Sequence, residues 1–138
     1  AWAAMGIRDA QGGPLQTEGW ASLLLPAGAR GPAFLIYDNF AAIEAYNKAD
    51  AYVIAVGHLA ERIAGAAPFR ASWPRDLRAL TLPERKELQQ RLLDAGVYAG
   101  EADGKVGPLT IAAVKAFQRQ TGATPDGYPS LDVLIRLR

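Results

Sequence analysis

Two Asp-Gly dipeptides in the last third of the chain, Asp103-Gly104 and Asp126-Gly127, restrict the possible fold more than any other feature. Asp-Gly favours a turn, because aspartate hydrogen-bonds nearby backbone and glycine tolerates positive φ. Apolar residues at helical spacing precede, separate and follow the two turns. The order helix, turn, helix, turn, helix predicts a small three-helix unit over residues 77–138.

Local signals predict where these helices begin and how the turns are held. Thr81 and Glu84 have the spacing of a capping box, in which each side chain bonds the other residue's backbone N–H. Pro108 suits the first turn of the second helix. Gln89 and Gln118 follow core positions, and we expect them to bond loop backbone groups, because small loop-rich domains need such bonds.

The first part of the chain predicts a helical region with a small β patch. The apolar runs at 21–25 and 33–37 are separated by prolines and glycines, which indicates either two short strands joined by a loop or a single irregular β-rich patch. Asn39 is a candidate N-cap for a short helix over Phe40–Tyr46, and the apolar spacing predicts a second helix over 49–64. Residues 66–76 are interpreted as a linker whose aromatic residues, Phe69 and Trp73, should pack against a domain.

Composition excludes several classes of function. The net charge of +1 argues against a general nucleic-acid binder. The chain has no cysteine and one histidine, His58, which we interpret as structural because a lone helical histidine is more often structural than a ligand. No apolar run reaches the roughly 18 residues of a membrane span. We expect no metal, no organic cofactor and no membrane span.

Residues 77–138 carry an ordered motif. It reads Leu88-Gln89, Leu92-Leu93, Gly96-Val97-Tyr98, Gly100, Asp103-Gly104, Gly107, Thr110, Val114, Phe117-Gln118 and Asp126-Gly127. The motif resembles the peptidoglycan-binding domain 1 family, and the resemblance implies a three-helix fold that docks on peptidoglycan. Candidate ligand contacts in this module are Asp103, Arg119 and Tyr128, since an arginine can pair with a stem-peptide carboxylate.

Residues 1–65 carry a second ordered motif. It reads Leu25-Pro26-Ala27-Gly28, Gly31-Pro32-Ala33-Phe34-Leu35, Asn39-Phe40, Ile43, Tyr46-Asn47, Tyr52, Val56-Gly57 and Leu59-Ala60. The motif is similar to the C-terminal part of the catalytic domain of the lytic murein transglycosylase B family. The resemblance implies a parent enzyme that cleaves the MurNAc–GlcNAc bond and leaves a 1,6-anhydro sugar. It also implies sugar contacts at Tyr46, Asn47 and Tyr52, whereas the residues alone favour a core position for Tyr52 and an Asn47 that only ends a helix.

The chain departs from the transglycosylase pattern at the catalytic residue. The family's glutamate lies in a Glu-Ser motif upstream of the matched segment, and this sequence contains no Glu-Ser. Glu44 and Glu61 are interpreted as solvated charges on helix surfaces. We therefore expect no catalytic residue in this chain, although the parent protein would be a lyase.

The resulting prediction is a mainly α chain with a helical substrate lobe and small β patch over 1–65, a linker over 66–76 and a three-helix module over 77–138. It would be the C-terminal portion of a peptidoglycan lytic transglycosylase. Expected partners are glycan strands, stem peptides and an N-terminal catalytic lobe, in the periplasm or bacterial cell envelope. The alternative hypothesis is a non-catalytic peptidoglycan-binding protein.

Overall fold

The computed structural model describes residues 2–15 and 19–138. Its helices and strands confirm a mainly α chain with one two-stranded sheet. Short 3₁₀ turns occur at Trp2–Met5 and Gly28–Arg30. The other elements are β1 (Ser22–Leu24), β2 (Phe34–Ile36), α1 (Asp38–Glu44), α2 (Asp50–Ile63), α3 (Leu82–Asp94), α4 (Pro108–Gln120) and α5 (Leu131–Leu137).

The chain divides into two compact units. The first unit comprises Ala1–Pro26 and Ala33–Ser72, and the second comprises Ala27–Pro32 and Trp73–Arg138. The domain boundaries inferred from the sequence, at 65 and 77, stay a prediction. None of the helices in the described ranges combines the length and the apolar character that a bilayer crossing needs.

The first unit confirms both strands and both helices predicted for it. β1 and β2 pair antiparallel, with Leu23 opposite Leu35. The proposed Asn39 cap is wrong, because α1 begins at Asp38 directly after the extended Tyr37 and no side chain caps it. Asp38 instead places a carboxylate in the first turn, where the helix dipole favours negative charge. α2 lies within one residue of its predicted bounds at each end.

The linker segment 66–76 has no helix or strand. Phe69 packs as predicted, because its ring lies 3.6 Å from the His58 ring, centroid to centroid, and 5.4 Å from that of Phe34. Trp73 keeps 41% of its surface exposed.

The second unit confirms the three-helix prediction and its capping box. The Thr81 hydroxyl accepts from the Glu84 N–H at 3.4 Å, and the Glu84 carboxylate accepts from the Thr81 N–H at 2.8 Å. Pro108 stands at the first position of α4, as predicted. The three helices enclose one apolar core, formed by Leu80, Leu88, Leu92, Ala113, Val114, Phe117, Val133 and Leu134.

Candidate functional site

Tyr46 and Tyr52 form an aromatic pair in the first unit. Tyr46 follows the end of α1, and Tyr52 lies in the first turn of α2. Their ring centroids are 6.2 Å apart with 25° between the planes, which is a stacked arrangement. Tyr46 is 86% exposed and Tyr52 is half-buried, so Tyr52 supports the ring of Tyr46 on one side while Tyr46 remains open to solvent.

Asn47 lies between the two tyrosines in sequence, and its side chain bonds the backbone just before α2. Its side-chain oxygen accepts from the Ala49 N–H at 3.0 Å, a local bond typical of asparagine before a helix. Among the described residues, its amide NH₂ group has no hydrogen-bond partner. An amide supplies two donors, so the exposed Asn47 can offer them to a ligand beside Tyr46.

A cavity of about 220 Å³ lies in the first unit, between β2, α1 and α2. His58 and Phe69 stack in its lining. The buried Tyr37 hydroxyl and His58 Nδ1 have no hydrogen-bond partner among the described residues. Glu61 Oε2 lies 3.7 Å from His58 Nδ1. That separation is too long for a hydrogen bond, and His58 therefore packs mainly through its ring.

Gln89 holds the first turn of the second unit, which we define as Asp103–Lys105. This glutamine is fully buried. Its oxygen accepts from the Gly104 N–H at 2.6 Å, and its amide nitrogen donates to the Lys105 carbonyl at 2.9 Å. Asp103 Oδ1 accepts from the Lys105 N–H at 2.8 Å and from the Gln89 amide at 3.4 Å. The prediction that Gln89 bonds loop backbone is confirmed.

Gln118 does the same for the second turn, which we define as Asp126–Tyr128. Its oxygen accepts from the Gly127 N–H at 2.9 Å, and its amide donates to Asp126 Oδ1 at 2.7 Å. Asp126 Oδ1 also accepts from the Tyr128 N–H at 2.9 Å. Both glutamines are therefore structural, as the sequence predicted.

The three predicted ligand contacts of this unit lie in different surroundings. Asp103 lines a cavity of about 390 Å³ beside the first turn. The Lys105 backbone N–H, aided by the Gln89 amide, lowers the pKa of Asp103, so its carboxylate stays charged near neutral pH. Arg119 is exposed near the end of α4, and Tyr128 is half-buried in the second turn. Neither belongs to the described lining of the Asp103 cavity.

Comparison with known proteins assigns both parts of the chain. Residues 1–61 match the family described as Transglycosylase SLT domain, and residues 81–137 match the family described as Putative peptidoglycan binding domain. Residues 1–61 are thus similar to a transglycosylase SLT domain, and residues 81–137 are similar to a peptidoglycan-binding domain. Both resemblances seen in the sequence are thereby confirmed.

Two solved structures are similar to nearly the whole chain. They are SltB3 from Pseudomonas aeruginosa in complex with NAG-anhNAM-pentapeptide and the same protein in complex with NAG-NAM-pentapeptide. Each has 44% sequence identity, a TM-score of 0.94 and coverage of 99% of this chain. The chain spans 37% of the length of each of them. A comparison with curated proteins found no match.

Two further residues, Tyr98 and Lys105, line the cavity beside the first turn and were not among the predicted contacts. Tyr98 donates to the Glu101 carbonyl at 3.1 Å and lines the same cavity as Asp103. Lys105 is exposed at the cavity, with its ammonium 4.0 Å from Asp103. Tyr98 lay in the family motif and Lys105 follows an Asp-Gly turn, so both could have been chosen as neighbours of Asp103.

Proposed function

We propose that this chain supplies a glycan-binding surface and a cell-wall-binding module to a peptidoglycan lytic transglycosylase. The whole protein would cleave MurNAc–GlcNAc bonds and form 1,6-anhydro-MurNAc, with peptidoglycan strands and an N-terminal catalytic lobe as its partners. The observation that carries the proposal is the joint presence of a transglycosylase SLT domain and a peptidoglycan-binding domain in one chain.

Tyr46, Asn47 and Tyr52 are the proposed glycan contacts. An exposed aromatic face offers an apolar platform to the C–H face of a pyranose ring, and a polar group at its edge fixes orientation. Tyr46 has this exposure and is supported by Tyr52. Asn47 has an amide to donate to a sugar hydroxyl or acetamido oxygen. Because its ring stacks beside that of Tyr46, Tyr52 acts mainly by supporting Tyr46.

Asp103, Arg119 and Tyr128 remain the proposed ligand contacts of the peptidoglycan-binding domain. The similar SltB3 structures hold disaccharide-pentapeptide fragments, so a peptide-bearing glycan is the ligand class that we propose here. Binding to cell wall would place the protein in the periplasm or elsewhere in the bacterial envelope.

We assign no bond-breaking role to any residue of this chain. The single-glutamate mechanism needs a carboxylic acid held near neutral pKa, usually in a partly apolar site. Glu44 is half-buried and Glu61 is exposed beside His58. We therefore propose that Tyr46, Asn47 and Tyr52 bind substrate and that cleavage belongs to the N-terminal catalytic lobe.

Co-sedimentation with purified sacculi tests the proposal. We expect the chain to pellet with sacculi and to release no anhydro-muropeptides, measured by chromatography of the supernatant. A chain that stays in the supernatant at every sacculus concentration would contradict the cell-wall function. Release of anhydro-muropeptides would contradict the assignment of cleavage to another lobe.

A peptide-free glycan tests the tyrosine surface by itself. Tyr46→Ala should weaken binding of an N-acetylglucosamine oligomer by about tenfold, the usual effect of removing one aromatic anchor. Tyr46→Phe should retain most of the affinity, since the ring supplies the contact. Trp20→Ala is the matched control, because Trp20 is another exposed aromatic of the same unit, 96% exposed. Equal losses in both alanine variants would refute a specific site.

A further inference from the structure

The two turns of the second unit have the same arrangement of hydrogen bonds. In each turn a buried glutamine oxygen accepts from the glycine N–H, and the glutamine amide donates to the aspartate Oδ1. In each, the same Oδ1 accepts from the backbone N–H two residues further on. The next helix begins five residues after the aspartate, at Pro108 and at Leu131.

The surroundings of the two glycines repeat as well. Gly104 has φ +81° and approaches Leu82 and Lys86, which precede Gln89 by seven and three residues. Gly127 has φ +76° and approaches Ile111 and Lys115, which precede Gln118 by the same intervals. Groups at corresponding positions of the two turns can therefore be compared atom by atom.

The second turn is occupied by a peptide of the chain itself. The second carboxylate oxygen of Asp126, Oδ2, accepts from the Ala29 N–H at 2.8 Å. Gly28 is buried against the turn, where a Cβ would lie 2.6 Å from Asp126 Oδ2 and 2.9 Å from the Tyr128 Cβ. Arg30 anchors this segment further, because its guanidinium meets Asp76 at 2.7 Å. The carboxylate thus acts as a receptor for a backbone amide.

The corresponding position of the first turn is open. Among the described residues, Asp103 Oδ2 has the Lys105 ammonium at 4.0 Å and accepts no hydrogen bond from another residue. The cavity of about 390 Å³ adjoins it, lined by Asp103 and Lys105, which are the counterparts of Asp126 and Tyr128. The first turn therefore has the receptor oxygen and the space, without the occupying peptide.

We propose that the first turn binds a peptide backbone amide through Asp103 Oδ2, as the second turn binds that of Ala29. The inference rests on the proposed cell-wall function and identifies the ligand as the peptide part of peptidoglycan. The Lys105 side chain is 89% exposed. It supplies an ammonium for a carboxylate of the same peptide.

The Gly28–Ala29 segment at the second turn also predicts the chirality of the ligand at the first turn. The residue before the bound amide is Gly28, with φ +64°. L-residues avoid this region, whereas a D-residue adopts it readily, as its use in turns that need positive φ illustrates. The clash distances at Gly28 apply to a Cβ of L configuration. The first turn should therefore select a peptide in which a D-residue precedes the bound amide.

Titration of the 138-residue chain with acetyl-L-Ala-D-Ala-D-Ala, followed by amide NMR shifts and calorimetry, tests the proposal. We expect shifts centred on the Gly104 and Lys105 amides. The all-L tripeptide should bind about tenfold or more weakly, because it cannot place its central residue at positive φ without strain. Equal binding of the two tripeptides, or shifts centred outside the first turn, would overturn the proposal.

Asp103→Asn isolates the receptor oxygen. Its Oδ1 can still accept from Lys105 and Gln89, so the amide must place NH₂ where Oδ2 was and cannot accept a ligand N–H. Binding should weaken about tenfold or more, as a charge-assisted hydrogen bond is lost. Asp126→Asn, at the corresponding atom of the occupied turn, should bind like the original chain. Unchanged affinity of Asp103→Asn would refute the site.

Sacculus binding separates the failure of this inference from that of the proposed function. Suppose that the chain pellets with sacculi, binds the two tripeptides equally and keeps its affinity in the Asp103→Asn variant. The first turn is then not the peptide site, and the cell-wall function stands. If the chain neither pellets nor binds peptide, both proposals fail. If the Asp103→Asn variant does not fold, comparing the D- and L-peptides on the unmodified chain still tests the proposed peptide site.

Discussion

The two units bury their apolar residues to very different extents. In the second unit the three helices enclose a continuous core, in which Leu92, Val114 and Leu134 are completely buried. In the described part of the first unit, Val53 is the only apolar residue with less than a tenth of its surface exposed. The second unit can thus draw its stability from its own core, whereas the first has little comparable burial.

Both units expose large apolar side chains, among them Leu109 at 63% and Ile135 at 56% in the second unit, but the most exposed of those described lie in the first unit. Trp20, Ile63 and Leu59 expose 96%, 80% and 61% of their surfaces. One unit of the chain therefore has a continuous apolar core, whereas the most exposed large apolar side chains of the described residues lie on the other.

A pair of leucine substitutions gives the strongest test of this contrast. Leu92→Ala removes a completely buried side chain from the second unit. The resulting cavity should cost about 3 kcal/mol of unfolding free energy. Leu59→Ala changes an exposed side chain of α2, and the free energy of unfolding should change by about 0.5 kcal/mol or less. Urea denaturation measures both, and similar losses would show that the difference in burial does not govern stability.

The buried glutamines provide the next largest effect. Gln89→Ala leaves the Gly104 N–H without its acceptor in a buried position. An unsatisfied buried donor of this kind should cost about 2 kcal/mol of unfolding free energy. Gln90→Ala is the matched control one residue further on, where the side chain is exposed and bonds Asp94 on the surface. We expect the control to shift the urea midpoint slightly, and a neutral Gln89→Ala would mean that the first turn holds itself without the glutamine.

Helix capping distinguishes the units in a smaller way. Side chains cap α3 and α5 of the second unit but not α4, whereas neither α1 nor α2 of the first unit has a side-chain cap. Thr81→Ala should destabilise α3 by about 1 kcal/mol. Ala49 is the extended residue before α2, and Ala49→Ser should stabilise the first unit by up to about 1 kcal/mol. Thermal unfolding followed by circular dichroism measures both, and a destabilising Ala49→Ser would contradict this account of α2.

Acidic pH should produce the smallest change, within the second unit. Hydrogen bonds from Arg78 and the Thr81 backbone hold the pKa of Glu84 far below its ordinary value of 4.5. A lowered folded-state pKa contributes stability above the ordinary value and loses it as the pH falls towards the folded value. The urea midpoint should therefore fall progressively below about pH 4.5, and Glu84→Gln should reduce this dependence. An exposed pair of this kind is screened by solvent and salt.

Local sequence signals predicted most of the helices and strands. The capping box at Thr81 and Glu84, the proline at Pro108 and both strands were confirmed, because each depends on neighbours within a few residues. The predicted Asn39 cap was wrong because only Tyr37 separates β2 from α1. Tyr37 continues the extended backbone of the strand, which is the conformation that an N-cap requires. A connection that short leaves no place for a separate capping turn.

The candidate sites were only partly visible in the sequence. Tyr46 and Asn47 were chosen as neighbours, and the structure adds that Tyr52 stacks beside Tyr46. Asp103 was chosen without its cavity, and Tyr98 was missed as part of the lining. These relations join residues that several intervening positions separate, so local spacing did not specify them, although the family motif already contained Tyr98.

Capping, glycine conformation and apolar spacing act over one or two turns of chain, so local sequence specified the helices, the turns and the glutamines that hold them. In contrast, the tertiary fold is what lets Asp126 bind the amide of Ala29 while Asp103 faces an open cavity. The two aspartates have the same local sequence role. They differ because a segment distant in the chain reaches one of them, and a contact of that range depends on how the whole chain packs.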